Sequence, residues 1–229
     1  MKTIKHLTLL FLTTTTLIAQ TETRTIGSFD GIHVAGHYDV TLTQGNEGTI
    51  SLKGNQDDLD QIETYLKNSD LIIKQKKSSW FDNWNSGRVS ISIPVEDIDK
   101  LTLSGSGSVI TNHTLSSDDF KIVLSGSGEI DLSLETDVLE AVLTGSGDID
   151  LRGKAIEASY QLTGSGDIKA DDFELEQGKA KVTGSGDIEM YANSSVNANI
   201  KGSGDIVCHG NPRMQQIKTT GSGDIEIRD

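Results

Sequence analysis

The chain has 229 residues, a formal net charge of −14, 34% hydrophobic residues, 24 glycines, two prolines and one cysteine, a length for one domain or at most two. Enough of it is apolar to build a packed core, which excludes general disorder, and two prolines with a glycine period near 19 exclude collagen. An acidic surface repels phosphate backbones, so nucleic acid and anionic membranes are poor default partners, whereas cations, metal ions and neutral glycans are compatible with it.

Residues 1–19 read as a secretory signal peptide: Lys2 and Lys5 lead into an apolar stretch from Leu7 to Ile18, diluted by Thr13 to Thr16, and Ala19 precedes a polar start at Gln20. The stretch is too short and too Thr-rich for a spanning helix. Removing it takes the net charge to −16, because both lysines leave with it. Nothing after residue 19 reads as a transmembrane segment, so the mature chain is expected in the periplasm, at the cell surface or outside. Cys208 has no partner for an intramolecular disulfide, so packing and backbone hydrogen bonds must hold the exported fold.

Residues 20–229 read as one domain, irregular over 24–100 and regular over 101–229. In the irregular part, the run Val34-Ala-Gly36-His-Tyr38-Asp39-Val40-Thr-Leu42 matches the later Leu143-Thr-Gly145-Ser-Gly147-Asp148-Ile149-Asp-Leu151 position by position, with Tyr38 in place of the second glycine. It is a degenerate copy of the repeat described next. Thr49–Leu52, Leu71–Lys74 and Val89–Val95 read as further strands. Asp57–Lys67, with Leu59, Ile62 and Leu66 at helical spacing, reads as a short helix on a flank or end. Trp80-Phe-Asp-Asn-Trp84 holds both tryptophans of the chain, among Lys74, Lys76, Lys77 and Arg88. Such a pair serves either as a glycan platform or as a hydrophobic plug over the end of a repeat array.

From residue 101 onward, Gly-Ser-Gly recurs at Gly105, Gly126, Gly145, Gly164, Gly184, Gly202 and Gly221, with spacings of 21, 19, 19, 20, 18 and 19. Its flanks alternate: Leu139, Ala141, Leu143, Gly145, Gly147, Ile149 and Leu151 share one parity, the period of a strand. This pattern places both glycines of each copy inward. One such unit buries no apolar face alone, but units stacked at about 4.8 Å form a continuous core. The expected fold is therefore all-β: a single-stranded parallel β-solenoid of about 19-residue Gly-Ser-Gly-Asp repeats, right-handed as parallel crossovers generally are. Stacked glycine pairs permit a tight corner or close approach of the opposite sheet. The last repeat, at Ile225-Glu-Ile-Arg-Asp229, leaves an edge that either is blunted by Arg228 and Asp229 or invites end-to-end self-association.

The opening Phe29-Asp-Gly-Ile-His-Val-Ala-Gly36, the run Val40-Thr-Leu-Thr-Gln-Gly45 and the Gly-Ser-Gly-Asp-Ile series resemble the auto-transporter adhesin head GIN domain family, over nearly all of residues 24–229. The resemblance implies an exported β-solenoid and, by likeness to adhesin heads, adhesion. It implies no chemistry.

Among candidate sites, the residue after each Gly-Ser-Gly is the most regular. Asp148, Asp167, Asp187, Asp205 and Asp224 would stand one coil apart. Each either accepts backbone N–H groups at a glycine bend or joins a row of oxygens suited to Ca²⁺, the one cofactor the sequence brings into view. The spacing differs from nonapeptide calcium rolls, whose period is nine. Two hydroxyl rows run beside the acids, one from Ser106 to Ser222 and one from Ser104 to Thr183, the second broken by Lys201. Trp80 and Trp84 are the candidate ligand-binding pair, with a surface glycan or envelope protein as the partner. No catalytic constellation emerges: His33, His37, His113 and His209 lack metal-ligand spacing, and Gly-x-Ser-x-Gly is absent. Asp148 and Asp150 recur as decoration without the singular placement of a catalytic pair. The expected function is a non-catalytic binding or adhesion module. The alternatives are a polysaccharide-active β-helix enzyme and a self-assembling structural envelope protein.

Overall fold

A computed structural model describes residues 20–76 and 87–228. The signal-peptide reading of residues 1–19 and both tryptophans, Trp80 and Trp84, lie outside the described residues. The elements in chain order begin with β1 (Gln20–Gly27), β2 (Gly31–Gly36), β3 (Asp39–Gln44), β4 (Gly48–Gly54), α1 (Gln56–Asp60), β5 (Ile62–Lys67), β6 (Asp70–Gln75), β7 (Ser90–Val95) and β8 (Lys100–Gly105). The regular part holds β9 (Ser108–Gly126), β10 (Glu129–Gly145), β11 (Asp148–Gly164), β12 (Asp167–Ala170), β13 (Phe173–Gly184), β14 (Ile188–Tyr191), β15 (Ser195–Gly202), β16 (Ile206–His209), β17 (Met214–Gly221) and β18 (Ile225–Arg228).

The strands stack as parallel coils, the β-solenoid that the repeat predicts. Rungs align identical repeat positions: Leu124, Leu143, Leu162, Val182 and Ile200 form one inward column, and Ile130, Ile149, Ile168, Ile188 and Ile206 another. Every member of both columns is buried. Each such side chain contributes about 1.5–3 kcal/mol of hydrophobic stabilisation that no isolated coil would obtain.

The Gly-Ser-Gly triplets are corners, and they explain why the strands end where they do. The first glycine of each triplet has φ between +127 and +143, a region closed to L side chains. Its missing side chain points along the stack rather than into the core: a Cβ on Gly145 would lie 2.2 Å from the carbonyl oxygen of Gly126. That oxygen accepts the Ser146 N–H at 2.8 Å, and the same bond recurs from Ser165 to Gly145 and from Ser203 to Gly184. The expected inward placement is thus corrected at the first glycine of each triplet, whereas the second, as at Gly128 and Gly147, is buried as expected. The tight corner is real, and the close approach it permits is to the adjacent coil rather than to the opposite sheet.

A second kind of corner needs no Gly-Ser-Gly triplet. In–out alternation resets at outward pairs such as Asp171–Asp172 and Glu176–Gln177, so that Ala170, Phe173, Leu175 and Gly178 all point inward. These resets divide the coil into short straight runs, and they coincide with acidic and amide residues that tolerate turns.

The irregular part closes one end, but not in chain order. Strand β2 lies between β6 and β8, and β3 lies between β7 and β9. The coil formed by residues 31–44 is therefore sandwiched, with the later strands β6 and β7 on its outer side. Gly36 and Tyr38 take the two glycine positions as the sequence match requires, since Ser106 N–H donates to Gly36 O at 3.1 Å and Ser108 N–H to Tyr38 O at 2.9 Å. The end is covered by antiparallel pairing of β1 with β4, β4 with β7 and β5 with β6, which breaks the parallel register that would propagate a stack. The Arg24 guanidinium ties this cap together, donating to Leu59 O and Ile62 O, each at 2.9 Å.

The helix expected over Asp57–Lys67 is corrected. Only Gln56–Asp60 is helical, and Ile62–Lys67 is strand β5 of a hairpin with β6. Leu59 and Ile62 are both buried, a spacing that fits either state. The hairpin is decided by Asn68 and Ser69, whose φ values of 51 and 63 give the two-residue turn with both positions left-handed. At the other end, β17 is exposed along its length, and Met214 and Ile217 are 67% and 47% exposed.

Two groups in the core shape the alkaline behaviour. Tyr160 is fully buried and its hydroxyl has no hydrogen-bond partner. Burial pushes this phenol up from 10.0, and pushes the Cys208 thiol up from 9.0 to about 11. Both groups are neutral when protonated, so the unfolded chain releases these protons first, and stability falls as pH rises from about 9 through 11. The Tyr160→Phe, Cys208→Ala double variant should lose less melting temperature than wild type between those limits, as thermal melts across the range would show. At neutral pH, Tyr160→Phe alone should be neutral to stabilising by up to ~1 kcal/mol, because it deletes an unpaired buried hydroxyl.

Candidate functional site

The Gly-Ser-Gly corners build one edge of the solenoid, and the predicted acid row stands on it. Asp148, Asp167, Asp187, Asp205 and Asp224 each occupy the residue after the corner. The Oδ1 of each of the first four accepts the backbone N–H of the next aspartate, at 3.2, 3.0, 2.7 and 2.8 Å in turn. The row is therefore a hydrogen-bonded ladder that carries the register across the bend. Ser108 and Asp39 extend it towards the cap, with Ser108 Oγ donating to Asp39 Oδ1 at 3.2 Å. Among the described residues, no group of three or more His, Cys, Asp or Glu side chains is arranged to hold a metal ion.

The neighbouring hydroxyls follow the same logic. Ser146, Ser165, Ser185, Ser203 and Ser222 are exposed while their backbone N–H groups bind the coil beneath. Asp150, one strand step further, lies in a column with Asp131 and Lys169. Burial raises its carboxyl above the ordinary value, and Lys169 acts in the opposite direction. Asp131 is engaged by the Arg152 guanidinium. Asp131 and Asp150 thus each have a cation on an adjacent rung.

The histidines are dispersed. His33 lies on the outer side of β2 beside the Lys100–Asp70 ion pair of 2.7 Å, and burial lowers its pKa while Asp70 opposes that effect. Near the second kind of corner, Asp97, Asp99, Ser116, Ser117, Asp118 and Asp119 line an open acidic depression of about 480 Å³. The described residues on either side of positions 77–86, Lys76 and Gly87, lie at the cap. There Lys76 N–H donates to Gln61 O at 2.7 Å and Gly87 N–H to Asp58 Oδ2 at 3.1 Å.

Sequence reading passed over one cluster. Lys179, Lys181, Lys201 and Lys218 point outward from β13, β15 and β17 and surround an open depression of about 440 Å³. Period-two alternation puts all four on one face, a signal available from the repeat register but masked by the chain's net negative charge.

Residues 28–212 match the family described as "Putative auto-transporter adhesin, head GIN domain". The chain belongs to this head GIN domain family. The match ends before β17, so the last coil lies beyond it. Solved structures share this fold. A protein from Bacteroides fragilis described as a putative adhesin is 23% identical, with a TM-score of 0.81 over 93% of this chain and 98% of its own. One from Parabacteroides distasonis, described as a putative lipid binding protein, is 26% identical, with a TM-score of 0.74 over 92% and 97%. One from Parabacteroides merdae, described as a putative adhesin, is 25% identical, with a TM-score of 0.71 over 92% and 96%. No curated protein matches the chain. Membership of the head GIN family supports a binding or adhesion role. Among the described residues no helix is long and apolar enough to cross a membrane.

Proposed function

We propose that this head GIN domain is an exported, non-catalytic adhesion module, delivered by residues 1–19 to the periplasm or cell surface, where the solenoid presents a rigid outer face to a surface glycan. The observation that carries the reading is the repetition of the outer surface itself. Each coil contributes the same hydroxyl and carboxylate rows at a fixed rise, a geometry that suits a long repetitive ligand better than one reacting bond. The family description and the balanced acids around Asp150 support it. Trp80 and Trp84 are the proposed aromatic contacts, as amphipathic rings that cover sugar faces.

Retention on a panel of immobilised envelope polysaccharides tests this. At least one polymer should hold the protein saturably and elute with its chain length unchanged. Trp80→Ala and Trp84→Ala should weaken retention at least tenfold without lowering the melting temperature. Shortening of the polymer would replace adhesion with catalysis. Absence of retention together with end-to-end assembly in sedimentation would replace it with a structural role.

A further inference from the structure

The lysine face lies on the sheet formed by β8 and the corner-proximal halves of β9, β10, β11, β13, β15 and β17. Near the cap, this sheet pairs its lysines: Lys100 with Asp70 at 2.7 Å and Lys121 with Glu140 at 2.7 Å. Further along, the pairing stops. Residues 158–164, 178–184, 196–202 and 215–221 contain four lysines and no aspartate or glutamate. None of Lys179, Lys181, Lys201 and Lys218 forms an ion pair among the described residues. In a chain of net charge −14 this is a strong local segregation.

Three of the four are arranged around one residue, Asn199, and Lys179 is the rung partner of Asn197, two positions back on the same strand. Asn199 has Lys181 as its rung partner on one side and Lys218 on the other, and Lys201 stands two residues along its own strand. The Asn199 Oδ1 is buried without a hydrogen-bond partner. Asn197 Nδ2 donates to Gln216 Oε1 at 3.2 Å beside it. Two rungs at about 4.8 Å and a four-residue run at about 3.3 Å per residue spread the ammonium groups over roughly 10 by 13 Å. That spread is wide for one small anion and suits a chain with spaced negative charges.

We propose that this face binds an acidic polysaccharide, with carboxylate groups of the glycan on Lys181, Lys201 and Lys218 and sugar hydroxyls on Asn197, Asn199 and Gln161. Amides and hydroxyls offer both donors and acceptors, as sugar hydroxyls do. The face presents neither arginine nor an exposed aromatic ring for stacking bases, and no apolar stripe for a bilayer. Repulsion from the remaining acids is screened beyond about 8 Å at physiological salt, so the local charge governs contact. This proposal rests on the adhesion reading and gives it a surface and a ligand chemistry.

Affinity electrophoresis of the purified protein through gels containing polygalacturonate, with dextran as the neutral polymer, tests it. Polygalacturonate should retard the wild type and dextran should not, and retardation should fall as salt rises. The triple variant Lys181→Gln, Lys201→Gln, Lys218→Gln should bind at least tenfold more weakly, while arginine at the same three positions should preserve binding. A matched triple, Lys53→Gln, Lys67→Gln, Lys154→Gln, removes the same charge elsewhere and should bind as wild type does. Melting temperatures confirm that each variant folds, and single Lys201→Gln and Lys218→Gln variants give the same direction with less perturbation. Absence of retardation of the wild type, equal retardation of wild type and the first triple, or equal loss in the matched triple would each overturn the proposal. Lysine-dependent capture of duplex DNA or phosphatidylglycerol vesicles without capture of polygalacturonate would overturn the glycan assignment. Binding of a neutral glycan that ignores the lysines would leave the adhesion reading standing and overturn this one.

Discussion

Gly164→Ala should cost the solenoid about 3 kcal/mol or more, from positive-φ strain of about 1–2 kcal/mol and a steric term of similar size. Gly164 has a φ of +133, and an added Cβ would lie 2.0 Å from the carbonyl oxygen of Gly145. That oxygen already accepts the Ser165 N–H at 2.9 Å, so the coil must either lift off its neighbour and lose the bond or abandon the bend. For a domain of this size the loss corresponds to a fall of roughly 6–12 °C in melting temperature. Gly178→Ala is the control. Its Cβ would meet the Met190 Cε at 2.1 Å, the end of a flexible side chain that can move aside. Gly178 does not carry a left-handed φ, and alanine lowers the entropy of the unfolded chain, so this change should cost less than about 1 kcal/mol. Equal losses at the two positions would remove the stacked-corner account of the repeat.

The corner residues also show which features were legible from sequence. Seven triplets at near-constant spacing and one apolar parity gave the stacking direction, the inward columns and the equivalence of Gly36 and Tyr38 with later glycines. Parity alone assigned both glycines of a triplet inward, which holds for the buried second glycine and fails for the first, because parity carries no information about φ. Only the bend shows that the absent side chain faces the adjacent coil. The order of the first coils was hidden for a different reason. Strands β2 and β6 are joined through a hairpin and a helical turn, and nothing local specifies on which side of β2 the later strand pairs. The lysine face was concealed by averaging: a net charge of −14 describes the whole chain, whereas Lys181, Asn199 and Lys218 become neighbours only through rung register. The acid ladder was anticipated as backbone acceptors, and the particular donors, the N–H groups of the next aspartates, required the stack.

Phe173→Ala should be the most damaging single core truncation in the regular coils, at about 4–5 kcal/mol, the upper part of the range for a buried phenylalanine. Phe173 is fully buried and follows the outward pair Asp171–Asp172, where the chain turns into its next straight run. Its rung partner is Gly153, which brings no side chain to that level. Gly153 also has a φ of +126 and a carbonyl oxygen, that of Leu134, 2.0 Å from where a Cβ would sit. The backbone there has no freedom to settle into a vacated space, so the cavity left by the ring should persist, and the cost grows with cavity volume. Ile149→Val, in a column with isoleucine above and below, should lose only about 0.5–1.5 kcal/mol. Because each coil contacts only its neighbours, the damage should also be local. Hydrogen exchange of Phe173→Ala should accelerate first in β11, β13 and the coils beyond them, while β2, β3 and the antiparallel cap keep their protection. Uniform acceleration through the cap would mean that the stack unfolds as one cooperative unit and that the nearest-neighbour description does not hold for this solenoid.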